Sequence, residues 1–162
     1  MRYLCINIYM IDDFDRKLLK QLQRNAVATN AQLGEAVNIS TSQAGRRKAR
    51  LESMGLVEGY HARLNPAAAN LHIQAFIQLS LNTHSKEAAT ALHQFLATEE
   101  TITNIWTMTG RADYLLQIYC HDLAELHHLV HDVLLGHASI SHVESQIVMN
   151  HTKSDGILPL RL

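Results

Sequence analysis

Thr29-Asn30-Ala31-Gln32-Leu33-Gly34-Glu35-Ala36-Val37-Asn38-Ile39-Ser40-Thr41-Ser42-Gln43 is the stretch that decides the fold. It holds two capping boxes, Thr29 with Gln32 and Ser40 with Gln43. In each, a hydroxyl takes the N–H three residues on, while the glutamine amide reaches back to the cap's own N–H. Two helix starts this close leave room for a short first helix, with Leu33, Ala36 and Val37 inward, and a tight turn at Asn38-Ile39. The second helix runs to about Met54 and stops at Gly55, a residue suited to helix C-termini. A short helix, a turn and a capped second helix make a helix-turn-helix.

Toward the N-terminus, Asp12 is placed to cap a preceding helix, with Asp13 and Asp15 in its first turn, where the helix dipole favours negative charge. Phe14, Leu18 and Leu22 recur at helical spacing with Leu19 beside them, so residues 12–54 read as a three-helix head. On its third helix, at 100° per residue, Gln43, Arg46, Arg47 and Arg50 share roughly 100° of arc. Thr41, Ser42 and Gln43 stand at the N-terminal end, where a recognition helix meets base edges. Glutamine can bond adenine through two hydrogen bonds, and serine or threonine can contact either base type. The three arginines suit phosphates. Thr41, Ser42, Gln43, Arg46, Arg47 and Arg50 are therefore the expected contacts to double-stranded DNA. A merely solvated face would place arginines the same way, and the capped two-helix frame favours DNA. Charge agrees: residues 10–64 carry nine Lys/Arg against six Asp/Glu, a net of +3, and residues 65–162 carry four against nine, a net of −5. A basic front suits a polyanion-binding module.

Residues 56–64 alternate imperfectly and predict a small hairpin or wing, closing a first domain over 10–64. Asn65-Pro66 breaks it, and 65–70 is a linker. The period then changes to two. Ile73, Ala75, Ile77, Leu79 and Leu81 alternate with polar or outward residues in a half-buried strand. Ala88, Leu92, Phe95 and Leu96 mark a helix. Residues 101–108 and 112–120 are strands on either side of a turn at Gly110-Arg111. Leu123, Leu126, Val130, Val133 and Leu134 mark a second helix, and residues 140–149 the last strand. Strand-helix-strand-strand-helix-strand over 71–151 is the ferredoxin-like plan, giving an α+β chain with residues 152–162 as a tail. Two helices cover one sheet face, so the other calls for a partner subunit.

Composition narrows the function classes. No apolar run approaches the eighteen or so residues of a membrane span. Met1 to Tyr9 lack the long apolar core and cleavage site of a signal peptide and read as the product of an upstream start codon. Two distant cysteines, Cys5 and Cys120, fit a reducing cytosol, so a cytoplasmic location is expected. No glycine-rich phosphate loop occurs, and Asp113 is the one carboxylate in a special context. One carboxylate makes no acid/base pair, so neither catalysis nor a cofactor is expected. Seven of eleven histidines lie between His121 and His151. His127 and His131 have zinc-compatible spacing, with Glu125, His128 and Asp132 near. No cysteine joins them, and they read as a solvated helix face. A metal-responsive regulator stays an alternative.

Ile11-Asp12-Asp13-Phe14-Asp15-Arg16-Lys17-Leu18-Leu19, Ile39-Ser40, Arg46-Arg47, Arg50-Leu51-Glu52 and Gly55-Leu56-Val57-Glu58-Gly59-Tyr60, in that order, resemble the Lrp/AsnC (feast/famine) regulators. Asn65-Pro66 resembles the end of that family's wing, and Thr109-Gly110-Arg111-Ala112-Asp113-Tyr114-Leu115-Leu116 its S/T-G-x-x-D-Y-L-L effector motif. The resemblance implies a regulator of amino-acid metabolism genes, a homodimer assembling to an octamer, and an amino acid or related metabolite bound between back domains. By position, the effector cleft involves Trp106, Thr107, Met108, Thr109, Gly110, Arg111 and Asp113, with Ser145 and Gln146 as walls from a neighbouring subunit. An architectural DNA-binding protein without an effector is the other alternative.

The sequence departs from the family pattern in places. Gly45 and Lys48 stand where the family has inward apolar residues, which predicts a looser recognition helix, and Gly34 replaces an alanine, a similar weakness. Lys48 is expected to snorkel to the surface. Arg111-Ala112 replaces an acidic-aromatic pair, and a cation there favours an effector bearing a second acidic group.

Overall fold

The computed structural model describes residues 11–82, 85–154 and 156–161. The reading of Met1 to Tyr9, Cys5 included, lies outside them. Contacts divide the chain into two compact units, one of residues 11–63 with 153–161, the other of residues 64–152.

The first unit is built on α1 (Asp13–Arg24), α2 (Asn30–Val37) and α3 (Thr41–Ser53). Each begins with a reciprocal capping box: Asp12 with Asp15, Thr29 with Gln32, and Ser40 with Gln43. Asn38 takes the left-handed conformation at the turn, which asparagine tolerates better than most residues. Leu18, Leu19, Leu22, Ala28, Leu33, Val37, Ala44 and Leu51 form one core.

Several expected inward positions are corrected. Ala36 is exposed, and Gly34 is the buried residue beside Leu33 and Val37. A Cβ at Gly34 would lie 2.7 Å from the Ile39 carbonyl oxygen, so the tight turn requires glycine and the supposed weakness is a packing requirement. A Cβ at Gly45 would meet only the Asn30 amide, at 2.9 Å. Phe14 is 39% exposed, its ring beneath the Arg47 guanidinium at 5.5 Å.

Residues 56–64 form no strand, so the expected hairpin is absent there. Leu56 and Val57 both pack against the head core. Consecutive residues turned to the same side cannot belong to a pleated strand, whose side chains alternate. Side chains of α3 hold this segment instead. Tyr60 Oη donates to Glu52 Oε1 at 2.7 Å, and Lys48 Nζ sits 5.0 Å above the Tyr60 ring. Burial, then Glu52, push the Tyr60 pKa up to about 12.

The second unit opens with a 3-10 turn at Ala67–Ala69, within the stretch read as linker. It continues with β1 (Ile73–Leu81), α4 (Lys86–Thr98), β2 (Ile102–Thr107), β3 (Tyr114–Cys120), α5 (Leu123–His128) and β4 (Ile140–Ile147). The sheet order is β2-β3-β1-β4 with every neighbour antiparallel, as the ferredoxin-like plan requires. Ala75, Ile77 and Leu79 of β1 and Leu116 and Ile118 of β3 face the same core as Leu92 and Leu96 of α4. The second helix is not uniform: α5 gives way to a π-helical segment, Leu129–Leu134. Five-residue spacing brings Leu129 and Leu134 to the core together, while Leu123 is left 59% exposed. Alternation along β1 and β3 puts Phe76 and Gln78, Leu115 and Tyr119 half-buried on the opposite, uncovered face.

Candidate nucleic-acid interface and ligand cleft

The N-terminal end of α3 presents Thr41, Ser42, Gln43 and Arg46, all exposed. The Ser40 cap fixes their orientation and uses one of them. Gln43 Oε1 accepts the Ser40 N–H at 3.1 Å, which takes one of its two lone pairs. The paired contact to adenine, with N7 accepting and N6–H donating, would draw on the amide nitrogen and the other lone pair. Arg46 makes no hydrogen bond or ion pair among the described residues.

Arg47 and Arg50 are held differently. Arg47 Nη1 donates to Asp12 Oδ2 at 2.7 Å and Asp15 Oδ1 at 2.8 Å, and Arg50 Nη2 donates to Asp15 Oδ2. Asp15 is fully buried, and it also accepts the Asp12 N–H through its capping box. Burial disfavours the Asp12 carboxylate, but the Asp15 N–H and Arg47 outweigh it and hold its pKa below the ordinary value. The same pairs, Asp15 foremost, raise that of Arg47. The sequence reading placed all three arginines on one donor face. The structure brings Arg47 and Arg50 onto an aspartate cluster that also orients α3 against α1. Asp12 and Asp15 were read as dipole and capping residues. Their second role carried one available signal, opposite charges on two helices of the same head. Asp12, Gln43 and the three arginines line a shallow recess of about 300 Å³.

In the second unit the β2–β3 turn is pinned to the end of β1. Asp113 N–H donates to the Leu79 carbonyl and its Oδ2 accepts the Leu81 N–H, both at 2.8 Å. Its own carbonyl accepts the Met108 N–H at 2.8 Å, and the Ser80 hydroxyl donates to the Arg111 carbonyl at 3.2 Å. Gly110 turns at φ +120°, where a side chain would be strained. A cleft of about 170 Å³ beside the turn is lined by Gln78, Met108, Thr109, Arg111, Ala112 and Leu115. Met108, Thr109 and Arg111 of the expected effector set therefore come together there. Asp113 and Gly110 shape the turn.

Trp106, 42% exposed, pairs with Leu115 and shares the uncovered sheet face. Thr107 pairs with the buried Tyr114 and belongs to the other face. Ser145 and Gln146 are adjacent on β4 and so point to opposite faces. Ser145 pairs with Ile77 on the helix-covered side, and Gln146 with Phe76 on the uncovered side. Gln78 was not foreseen. Its place in the strand alternation marked it as outward, but only the sheet order puts it beside the turn. Among the described residues no group of three or more histidine, cysteine or acidic side chains is placed to hold a metal ion, and no helix is long and apolar enough to cross a membrane. His127 and His131 stack ring on ring at 4.4 Å.

Residues 11–52 match the AsnC-type helix-turn-helix domain, and residues 74–158 the Lrp/AsnC ligand binding domain. A transcriptional regulator from Neisseria meningitidis, solved as its L-Met complex, is similar in structure at a TM-score of 0.89. It is 35% identical, over 94% of this chain and 98% of that one. The leucine-responsive regulatory protein of Rhizobium meliloti is 29% identical over 88% of this chain and 92% of that protein. The DNA-binding transcriptional activator DecR of Escherichia coli is 29% identical over 93% of this chain and 99% of that protein. A reciprocally capped helix-turn-helix, an antiparallel β2-β3-β1-β4 sheet with a pinned turn, and matches to both domains together make this chain a transcriptional regulator of the Lrp/AsnC family.

Proposed function

We propose that the chain is a sequence-specific DNA-binding regulator whose affinity for its sites is set by an amino acid held at the β2–β3 turn. The observation that carries this reading is the cleft beside Gly110. Gln78, Thr109 and Arg111 offer polar groups, and Met108 and Leu115 apolar surface. A carboxylate can meet the Arg111 guanidinium or the Thr109 hydroxyl, and a short apolar side chain can rest on that surface. The Neisseria meningitidis regulator was solved with L-Met, which makes methionine the first candidate. Arg111 makes acidic amino acids the second.

On the head, Thr41, Ser42 and Gln43 read base edges and Arg46 meets a phosphate. Arg47 and Arg50 orient the helix and contribute positive potential. Two chains pair through the uncovered sheet face around Phe76, Leu115 and Trp106, and dimers assemble further, to an octamer. Gln146 from a second chain then belongs to the cleft wall. Effector binding across subunits changes the spacing of the heads and hence DNA affinity. The genes served are those of amino-acid metabolism, in the cytoplasm.

The test is a thermal-shift screen against the common amino acids, their keto acids and zinc, followed by DNA binding with and without the hit. A ligand at a hundred times its dissociation constant stabilises by about 2.7 kcal/mol, a clear shift. Methionine or an acidic amino acid should produce it and alter DNA affinity by the same factor at which DNA alters ligand affinity. A flat screen, with DNA binding lacking a gap of about a thousandfold between specific and random sequence, would sink the reading.

A further inference from the structure

A cavity lies in the first unit, away from α3's exposed end. About 520 Å³ in volume, it is lined by Leu19, Leu22 and Ala26 from α1 and its end, by residues 55–61, and by Leu158 and Leu160. Those last two residues come from the far C-terminus. Leu160 is half-buried and packs against the head core, and the Leu158 N–H donates to Gln23 Oε1 at 2.7 Å. We infer that this groove is a docking surface for the chain's own C-terminal segment, residues 157–160, and that the seated segment gives the second unit a second connection to the DNA-binding head.

Several observations choose this occupant. The segment Ile157-Leu158-Pro159-Leu160 forms no helix or strand, and of its residues Leu158, 70% exposed, and the half-buried Leu160 line the groove. Pro159 has no N–H of its own, and the Leu158 N–H is the one that Gln23 takes. Leu160 packs against the same core as Leu22 and Leu56, so the groove is apolar there. Residues 55–61 line it, and Lys48 and Glu52 of α3 hold the same segment through Tyr60. Residues 55–61 thus touch both the groove and the recognition helix. The chain reaches the groove directly from β4: Val148 still bonds the Gln74 carbonyl, and the tail begins at residue 153. A shift of β4 would pull on a segment seated against α1 and residues 55–61. That relay rests on the effector reading given above; the docking itself does not.

The experiment uses the full chain with Cys5→Ser, carrying Gln23→Cys and Leu158→Cys, and a short bismaleimide. A link within one chain supports the docking. A link between chains would give the groove to a second copy's tail, and no link would remove the tail from it; either overturns the proposal. Hydrogen exchange is then compared among the parent, Leu160→Asp, Leu160→Met and the chain ending at Thr152. Amides of Gln21–Arg24 and residues 55–61 should exchange roughly tenfold faster in Leu160→Asp and in the truncation, and at the parent rate in Leu160→Met. Equal rates in all four would also overturn the docking. For the relay, Leu160→Asp should bind the operator but lose at least half of the effector's effect on affinity. An undiminished effect in Leu160→Asp would overturn the relay and leave the docking standing. A parent protein unresponsive to every amino acid would overturn the relay along with the effector reading, while the cross-link and exchange results stand apart.

Discussion

The two units solve the same problem in opposite ways. In the second, core and candidate site lie on different faces of one sheet: Ala75, Ile77 and Leu116 pack under the helices, while Gln78, Leu115 and Trp106 look the other way. In the head, the helices are too short to separate the two tasks. Asp15 is the one buried charged residue in the described structure, and its partners are two arginines of the recognition helix. Where a sheet divides the labour, a site residue can change without touching the fold. Where two short helices share one ion cluster, the side chains proposed for DNA also hold the fold.

Substitutions put this contrast at risk, and Asp15→Ala should have the largest effect. It leaves Arg50 without its carboxylate and Arg47 with Asp12 alone, and because both arginines are partly exposed the loss should reach about 1–3 kcal/mol rather than the full cost of breaking a buried pair. Urea denaturation should show the loss, with exchange protection falling in α1 to α3 and holding in β1 and β3. Equal loss in both units would mean that the head is not an independent unit of stability. Gly34→Ala should come next, costing about 1–3 kcal/mol because the added methyl meets backbone. Gly45→Ala serves as its control: Asn30 can turn away, and alanine gains up to about 1 kcal/mol of helix propensity.

Arg46→Ala and Arg47→Ala then separate function from fold within one helix. Arg46→Ala should leave the melting temperature alone and reduce the slope of DNA affinity against salt by about one. Arg47→Ala should lower both stability and affinity. If the two behave alike, the aspartate cluster does not distinguish them. Arg111→Ala makes the corresponding test in the second unit. Its stability change should stay within about 0.5 kcal/mol, while ligand selectivity shifts away from acidic amino acids. The smallest effect is on pH. The folded Asp12 has a lowered pKa, so its contribution is complete above the unfolded value near 3.8 and drains away as pH falls through the folded one. In Asp12→Asn that acid-side loss should be missing from the head's unfolding curve.

The sequence by itself determined the elements and their order. Two capping boxes and the Asp12 cap, the change from helical period to period two at Ile73, and the turn at Gly110-Arg111 are local signals. Each is written in residues three or four apart, or in strict alternation, because hydrogen bonds within a turn and side-chain direction along a strand depend on near neighbours. From that order the antiparallel sheet followed, and with it the face that held Gln78 and Trp106. What the tertiary structure alone decided is which distant groups meet. Asp15 finds Arg47 and Arg50 more than thirty residues on, the Leu158 N–H finds Gln23 at a separation of 135 residues, and the second helix widens to a π turn with Leu129 and Leu134 both in the core. Such pairings depend on how faces pack in three dimensions. A charge or a leucine carries no record in its own neighbourhood of the partner it will bury against.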